Sequence, residues 1–88
     1  MAAYSLRIKP SAARDIEDID GKADRRRVVQ RIDRLTEEPR PPGCVKLAGG
    51  EHDRIRQGRY RIVYEIRAAE LVVLVVRVGD RRDVYWSR

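Results

Sequence analysis

The sequence predicts an α+β domain. Two N-terminal helices form a helical hairpin on one face of a mainly antiparallel sheet of about four strands, in the order β-α-α-β-β-β. Three observations predict this. The first half carries apolar residues at helical spacing after one alternating stretch. The second half is alternating or continuous apolar strand, broken by glycines and short turns. The stiff stretch "PRPPG", residues 39–43, separates the two. A chain of 88 residues fits one domain, residues 1–88, with one modest core.

Tyr4, Leu6 and Ile8 alternate with Ser5, Arg7 and Lys9, which makes a half-buried first strand. Pro10-Ser11 stops it, and Ser11 is the expected N-cap of the first helix, with Asp15 in its first turn. Ala12, Ala13, Ile16 and Ile19 follow helical spacing up to Asp20-Gly21. In the second helix Val28, Ile32 and Leu35 form an i, i+4, i+7 stripe, with Arg25, Arg26, Arg27, Arg31 and Arg34 largely outside it. That helix ends before Pro39. A short strand is expected over Val45 to Leu47. "DRIRQ" and "RYRIVYEIR" then flank a Gln57-Gly58 turn, and "ELVVLVVRV" follows a short Ala68-Ala69 turn. This last strand is apolar on both faces, as expected of a central strand covered on both sides. Gly79-Asp80 ends it, and "RRDVYWSR" remains as a tail.

Lys and Arg number 20 against 14 Asp and Glu, a net charge of +6, which favours a polyanionic partner. Cys44 is the only cysteine, so no intramolecular disulfide can form; this suits a reducing cytosol. It is expected as a small, partly buried residue after the Pro-rich turn. No Cys/His cluster has metal-ligand spacing, and neither a metal nor a cofactor is expected. The stretch "MAAYSLRIKP" lacks the apolar region of a secretory signal, and Leu71 to Val76 is too short to span a bilayer. A cytoplasmic protein without membrane contact is expected.

The stretch Asp53 to Ile62 concentrates the basic character. With a two-residue Gln57-Gly58 turn, Arg56 pairs with Arg59, Ile55 with Tyr60 and Arg54 with Arg61. Ile55, Tyr60, Ile62, Tyr64 and Ile66 then share the core face, while Arg54, Arg56, Arg59 and Arg61 share the other. Like charges directly opposite destabilise a strand pair, so the cluster suggests an anion that normally sits among the arginines. The plainer reading is a solvated charged face, partly neutralised by Glu51, Asp53 and Glu65.

Lys46 to Tyr85 resembles the C-terminal half of RelE toxins from bacterial toxin–antitoxin systems. The shared features are a KL-x-G lead-in, an R-x-G-x-YRIVYEI hairpin and a VxVxxVGxRxxVY ending; "RIKPSAARDIEDI" resembles the family's first strand and helix. The resemblance implies a metal-independent, ribosome-dependent mRNA endonuclease. Such toxins cut the message in the ribosomal A site by attack of a ribose 2′-OH on the neighbouring phosphate, and a cognate RelB-like antitoxin neutralises them. It assigns the catalytic set to Arg54, Arg56, Arg61, Arg81 and Tyr85; Lys46, Arg59 and Arg82 are expected to bind RNA. A guanidinium pair, Arg61 and Arg81, suits the charge that builds on the nonbridging oxygens. Tyr85 suits orienting the 2′-OH, stacking on a base or passing a proton, and equally suits covering the core edge. Two features depart from the family. Arg54 and Arg56 replace a lysine pair, and arginine is a poor general base. Asp80 stands where a His or Lys is frequent. His52 shares strand parity with Arg54; an ordinary surface-loop histidine is the commoner case. A ParE-like gyrase inhibitor of the same fold and a catalytically decayed RNA- or antitoxin-binding homologue remain as alternatives.

Overall fold

The computed structural model describes residues 3–80. Its elements are β1 (Ser5–Ile8), α1 (Pro10–Glu17), α2 (Lys22–Arg34), β2 (Val45–Lys46), β3 (Asp53–Gln57), β4 (Tyr60–Arg67), a 3-10 turn (Ala68–Glu70) and β5 (Val72–Asp80). The strands form one sheet in the order β1-β5-β4-β3-β2. Every neighbouring pair is antiparallel except β1 with β5. The predicted fold class is the observed one, with the short β2 as a fifth strand at one edge. None of the described helices is long and apolar enough to cross a membrane.

Both helices pack on one face of the sheet. Ala12 of α1 and Val28 and Ile32 of α2, with Leu35 just beyond, meet Ile55, Tyr60, Ile62, Tyr64, Val73, Val75 and Val78 in one core. Ile55, Tyr60, Ile62 and Tyr64 are residues that the alternation assigned to the apolar face, with Ile66 partly buried beside them, because successive side chains on a strand point to opposite sides. Val63 and Val72 are also buried but lie outside that core. Ile8, expected half-buried, is exposed at the β1 edge.

The start of α1 corrects the sequence reading. Pro10 occupies the first helical turn and Lys9 the N-cap position, with no side-chain cap. Proline loses nothing there, since its missing N–H would be unpaired anyway and its φ is already helical. Ser11 Oγ instead donates to the Val76 carbonyl at 3.1 Å. Asp15 lies beyond the first turn and accepts from Arg77 Nε at 2.8 Å and from the Val78 amide at 2.9 Å. Both contacts meet β5 at a bulge: Val63 faces Arg77 and Tyr64 faces Val75, which leaves Val76 as the extra residue. The first helix is thereby fixed to the irregular point of β5, an interior strand of the sheet.

The Pro-rich linker is tied down from below. Tyr64, fully buried, donates its hydroxyl to the Pro39 carbonyl at 2.6 Å and lies 3.1 Å from Cys44 Sγ. Arg40 reaches the buried Asp53 carboxylate at 3.7 Å. Burial, and then the Cys44 contact, push the Tyr64 phenol above its ordinary range.

Candidate functional site

The arginine hairpin is β3–β4, and its turn differs from the predicted one. Gly58-Arg59 forms the two-residue loop, so Gln57 faces Tyr60, Arg56 faces Arg61, Ile55 faces Ile62 and Arg54 faces Val63. Gly58 has φ +62°, the positive value that a type II′ hairpin turn needs at its first central position. Gly58 can occupy that position only if the turn moves one residue along the chain. The expected pairs Arg56–Arg59, Ile55–Tyr60 and Arg54–Arg61 therefore do not form.

The faces survive the correction. Arg54, Arg56 and Arg61 still share the side away from the helices, with Arg56 and Arg61 directly opposite each other. Between and beside them lie Val63, which is buried, and Gly79 of β5, which faces Arg61 and has no side chain to fill the space. Arginines thus stand around a low, largely apolar floor. Arg54 and Arg61 are half-buried, and the Nε of each is shielded from solvent without a hydrogen-bond partner. Arg25 and Arg31 of α2 have the same orphaned atom, so that feature alone marks nothing. What distinguishes the hairpin is the effect of its neighbours on Arg54. Burial, then the charges of Arg56 and Arg61, hold the Arg54 guanidinium below the ordinary arginine range, with Cys44 opposing.

Glu51, Asp53 and Glu65, expected to neutralise this face, form no ion pair with Arg54, Arg56 or Arg61. Asp53 points to the helix side and is buried beside Arg40. Glu65 meets Arg67 at 2.9 Å and His52 at 4.0 Å. Asp80 faces Tyr60, on the side opposite the cluster, and its carboxylate lies 3.2 Å from Arg59 Nε.

The predicted set is thus brought together only in part. Arg54, Arg56 and Arg61 converge. Arg59 sits in the turn, over the Tyr60 ring and against Asp80. Lys46 faces Asp53 on β2, and it is Val45 that stands opposite Arg54. Arg81, Arg82 and Tyr85 lie outside the described residues. Gly79 was not among the predicted residues; only the β4–β5 register shows that it floors the cluster. A cleft of about 400 Å³ opens on the helix side, lined by Asp15, Asp18, Asp20 and Asp80 beside Arg59 and Tyr60. Its carboxylates disfavour a phosphate, whereas the open arginine face admits a polymer.

Residues 6–85 match the family model described as the ParE toxin of the type II toxin–antitoxin system parDE. No curated protein matches the chain. Among solved structures, a chain of the RelBE2 toxin–antitoxin complex from Mycobacterium tuberculosis is 26% identical with a TM-score of 0.78, over 90% of this chain and 99% of that one. A chain of the archaeal RelE–RelB complex from Pyrococcus horikoshii OT3 is 27% identical with a TM-score of 0.78, over 93% and 99%. A mutant E. coli RelE toxin in the free state is 26% identical with a TM-score of 0.75, over 92% and 86%. With a family match that spans nearly the whole sequence and RelE toxins as its structural neighbours, the chain belongs to the RelE/ParE family of toxins from type II toxin–antitoxin systems.

Proposed function

We propose that this toxin is a ribosome-dependent mRNA endonuclease of the RelE kind, neutralised by a RelB-like antitoxin and acting in the cytoplasm. The observation that carries the reading is the convergence of Arg54, Arg56 and Arg61 on one open face with no described carboxylate paired to them. Three guanidiniums that destabilise one another fit a polyanion that offsets their repulsion, and the RNA backbone supplies one. A phosphate seated over Val63 and Gly79 meets charged donors above an apolar floor. There, fixed N–H groups are worth more than in water, which is the requirement for stabilising charge on the nonbridging oxygens during 2′-OH attack. Arg61 and Arg81 are assigned to that charge, Arg54 and Arg56 to the scissile and flanking phosphates, and Tyr85 to the ribose or a base. Lys46, Arg59 and Arg82 act as outer RNA contacts.

The ParE description of the matched family keeps a second reading: inhibition of DNA gyrase by the same fold. One experiment separates the two. Purified toxin is added to a translating extract, and mRNA ends are mapped inside and outside ribosomes beside a supercoiling assay. Cuts confined to ribosome-bound message support the endonuclease. Intact message with blocked supercoiling supports the gyrase inhibitor.

A further inference from the structure

We propose that His52 is the general base of this toxin, with Glu65 as its positioning residue. The inference rests on the endonuclease reading and answers the question that arginines at 54 and 56 leave open: a guanidinium does not accept a proton at physiological pH.

His52 directly precedes β3 and continues its alternation. Asp53 faces Tyr64, and one rung further His52 meets Glu65, with its Nε2 4.0 Å from Glu65 Oε1. The side away from the helices therefore reads, rung by rung, His52–Glu65, Arg54–Val63, Arg56–Arg61. Side chains of one face repeat every second residue, about 6–7 Å along a strand, so His52 is one row from Arg54. A phosphate held by Arg54 and Arg61 has its neighbouring ribose within that row. Histidine is also the one side chain whose ordinary titration falls near neutral pH.

The groups around the imidazole are few. Arg54 lies one row along its own strand, and Glu65 on β4 is in turn held by Arg67 at 2.9 Å. From the β2 side the neighbour is Leu47, whose amide donates to the His52 carbonyl at 2.9 Å, while Lys46 faces Asp53 on the other side. From β5 the residue opposite Glu65 is the apolar Leu74. The His52 side chain is 37% exposed and that of Glu65 29%, open enough for a ribose to reach. At 4.0 Å this is too long for a hydrogen bond and too exposed to matter much to the fold. The pair is better placed to stabilise an imidazolium that forms during reaction.

In the step itself the 2′-OH proton passes to the imidazole nitrogen turned away from Glu65. The 2′-oxygen lone pair forms the new bond to phosphorus, and the bond from phosphorus to the 5′-oxygen breaks with its electron pair. The 5′-oxygen takes a proton from water, and the hydroxide left behind is neutralised by the proton that the imidazolium releases. The products are a 2′,3′-cyclic phosphate and a 5′-hydroxyl.

The test is single-turnover cleavage of A-site message by His52→Gln and Glu65→Gln across a range of pH, with ribosome affinity and thermal melts measured alongside. His52→Gln is expected to slow cleavage about a hundredfold or more and to remove the rise of rate with pH, at unchanged ribosome affinity and melting temperature. Glu65→Gln is expected to slow cleavage less than His52→Gln does, at unchanged ribosome affinity and melting temperature. A merely structural cross-strand pair would move melting and leave the pH profile in place. Wild-type rate and pH dependence in His52→Gln overturn the assignment while the endonuclease reading stands; absence of cleavage by the wild-type toxin overturns both.

Discussion

Arg61 is the residue on which the proposed chemistry can be separated from the fold. It faces away from the core and lies directly opposite Arg56. Its removal relieves a like-charge pair, so Arg61→Ala should melt at the wild-type temperature or slightly above it. If Arg61 stabilises the developing phosphate charge, the same change should still raise the barrier by about 2–4 kcal/mol. That corresponds to cleavage slowed roughly a hundredfold or more in single-turnover assays. Arg61→Lys keeps the charge but loses the planar two-pronged donor, so its recovery should be partial. Wild-type cleavage by Arg61→Ala would move the catalytic assignment off the hairpin, and joint loss of stability and cleavage would make Arg61 structural. Which face Arg61 occupies was legible in the sequence. Its partner was not. Moving the turn by one residue shifts every cross-strand pair by two and leaves both faces unchanged, so alternation fixes the face and is blind to the partner. The position of Gly58 in the turn was the only local signal, and two turn types fit it. His52 opposite Glu65 was hidden by the same ambiguity.

At the scale of elements, two contacts join parts that the sequence shows only as separate. Asp15 connects α1 to the bulge of β5. Asp15→Ala takes away the acceptor of the Val78 amide and should cost about 1–3 kcal/mol. Calorimetry should show this as a drop of about 4–8 °C per kcal/mol. The roles of Ser11 and Asp15 were illegible because they depend on a bulge in a continuous apolar run, Leu71 to Val78, that carries no phase of its own. Tyr64 connects the linker to β4. Tyr64→Phe leaves the Pro39 carbonyl without its 2.6 Å donor and should destabilise by a similar amount. It should also change the response to alkali. The folded-state phenol is raised above its unfolded value of about 10, so its contribution to stability is fully present below that pH and is lost as pH rises above it. The wild type should therefore lose stability above about pH 10 more steeply than Tyr64→Phe in parallel denaturant titrations.

For the whole molecule, the division into a helix-covered face and an arginine-bearing face sets what it can meet. Binding to ribosomes should weaken steeply with salt as counterions are released, and Arg56→Ala should lower the slope by roughly one phosphate contact. A flat response would mean that the cluster does not meet phosphate. On the same face Val45 is exposed and Leu74 half-exposed, so an antitoxin segment should cover apolar surface there with its carboxylates near the arginines. Co-expression with the neighbouring gene product followed by size-exclusion chromatography should give one joint peak at micromolar concentration, and separate elution would refute the contact. The sheet order has a further consequence, for the time at which this surface comes into being. β5 follows all the other strands in the chain yet lies inside the sheet, between β1 and β4, and the Ser11–Val76 contact that secures it joins residues 65 apart. Pairings of such long range form late, after the entropy of closing a long loop has been overcome. A growing chain that has not yet made β5 already carries every arginine of the hairpin, but β1 has no strand to pair with and Arg61 has no glycine beside it. If the hairpin carries the cleavage proposed for it, chain order withholds that activity until β5 has been synthesised.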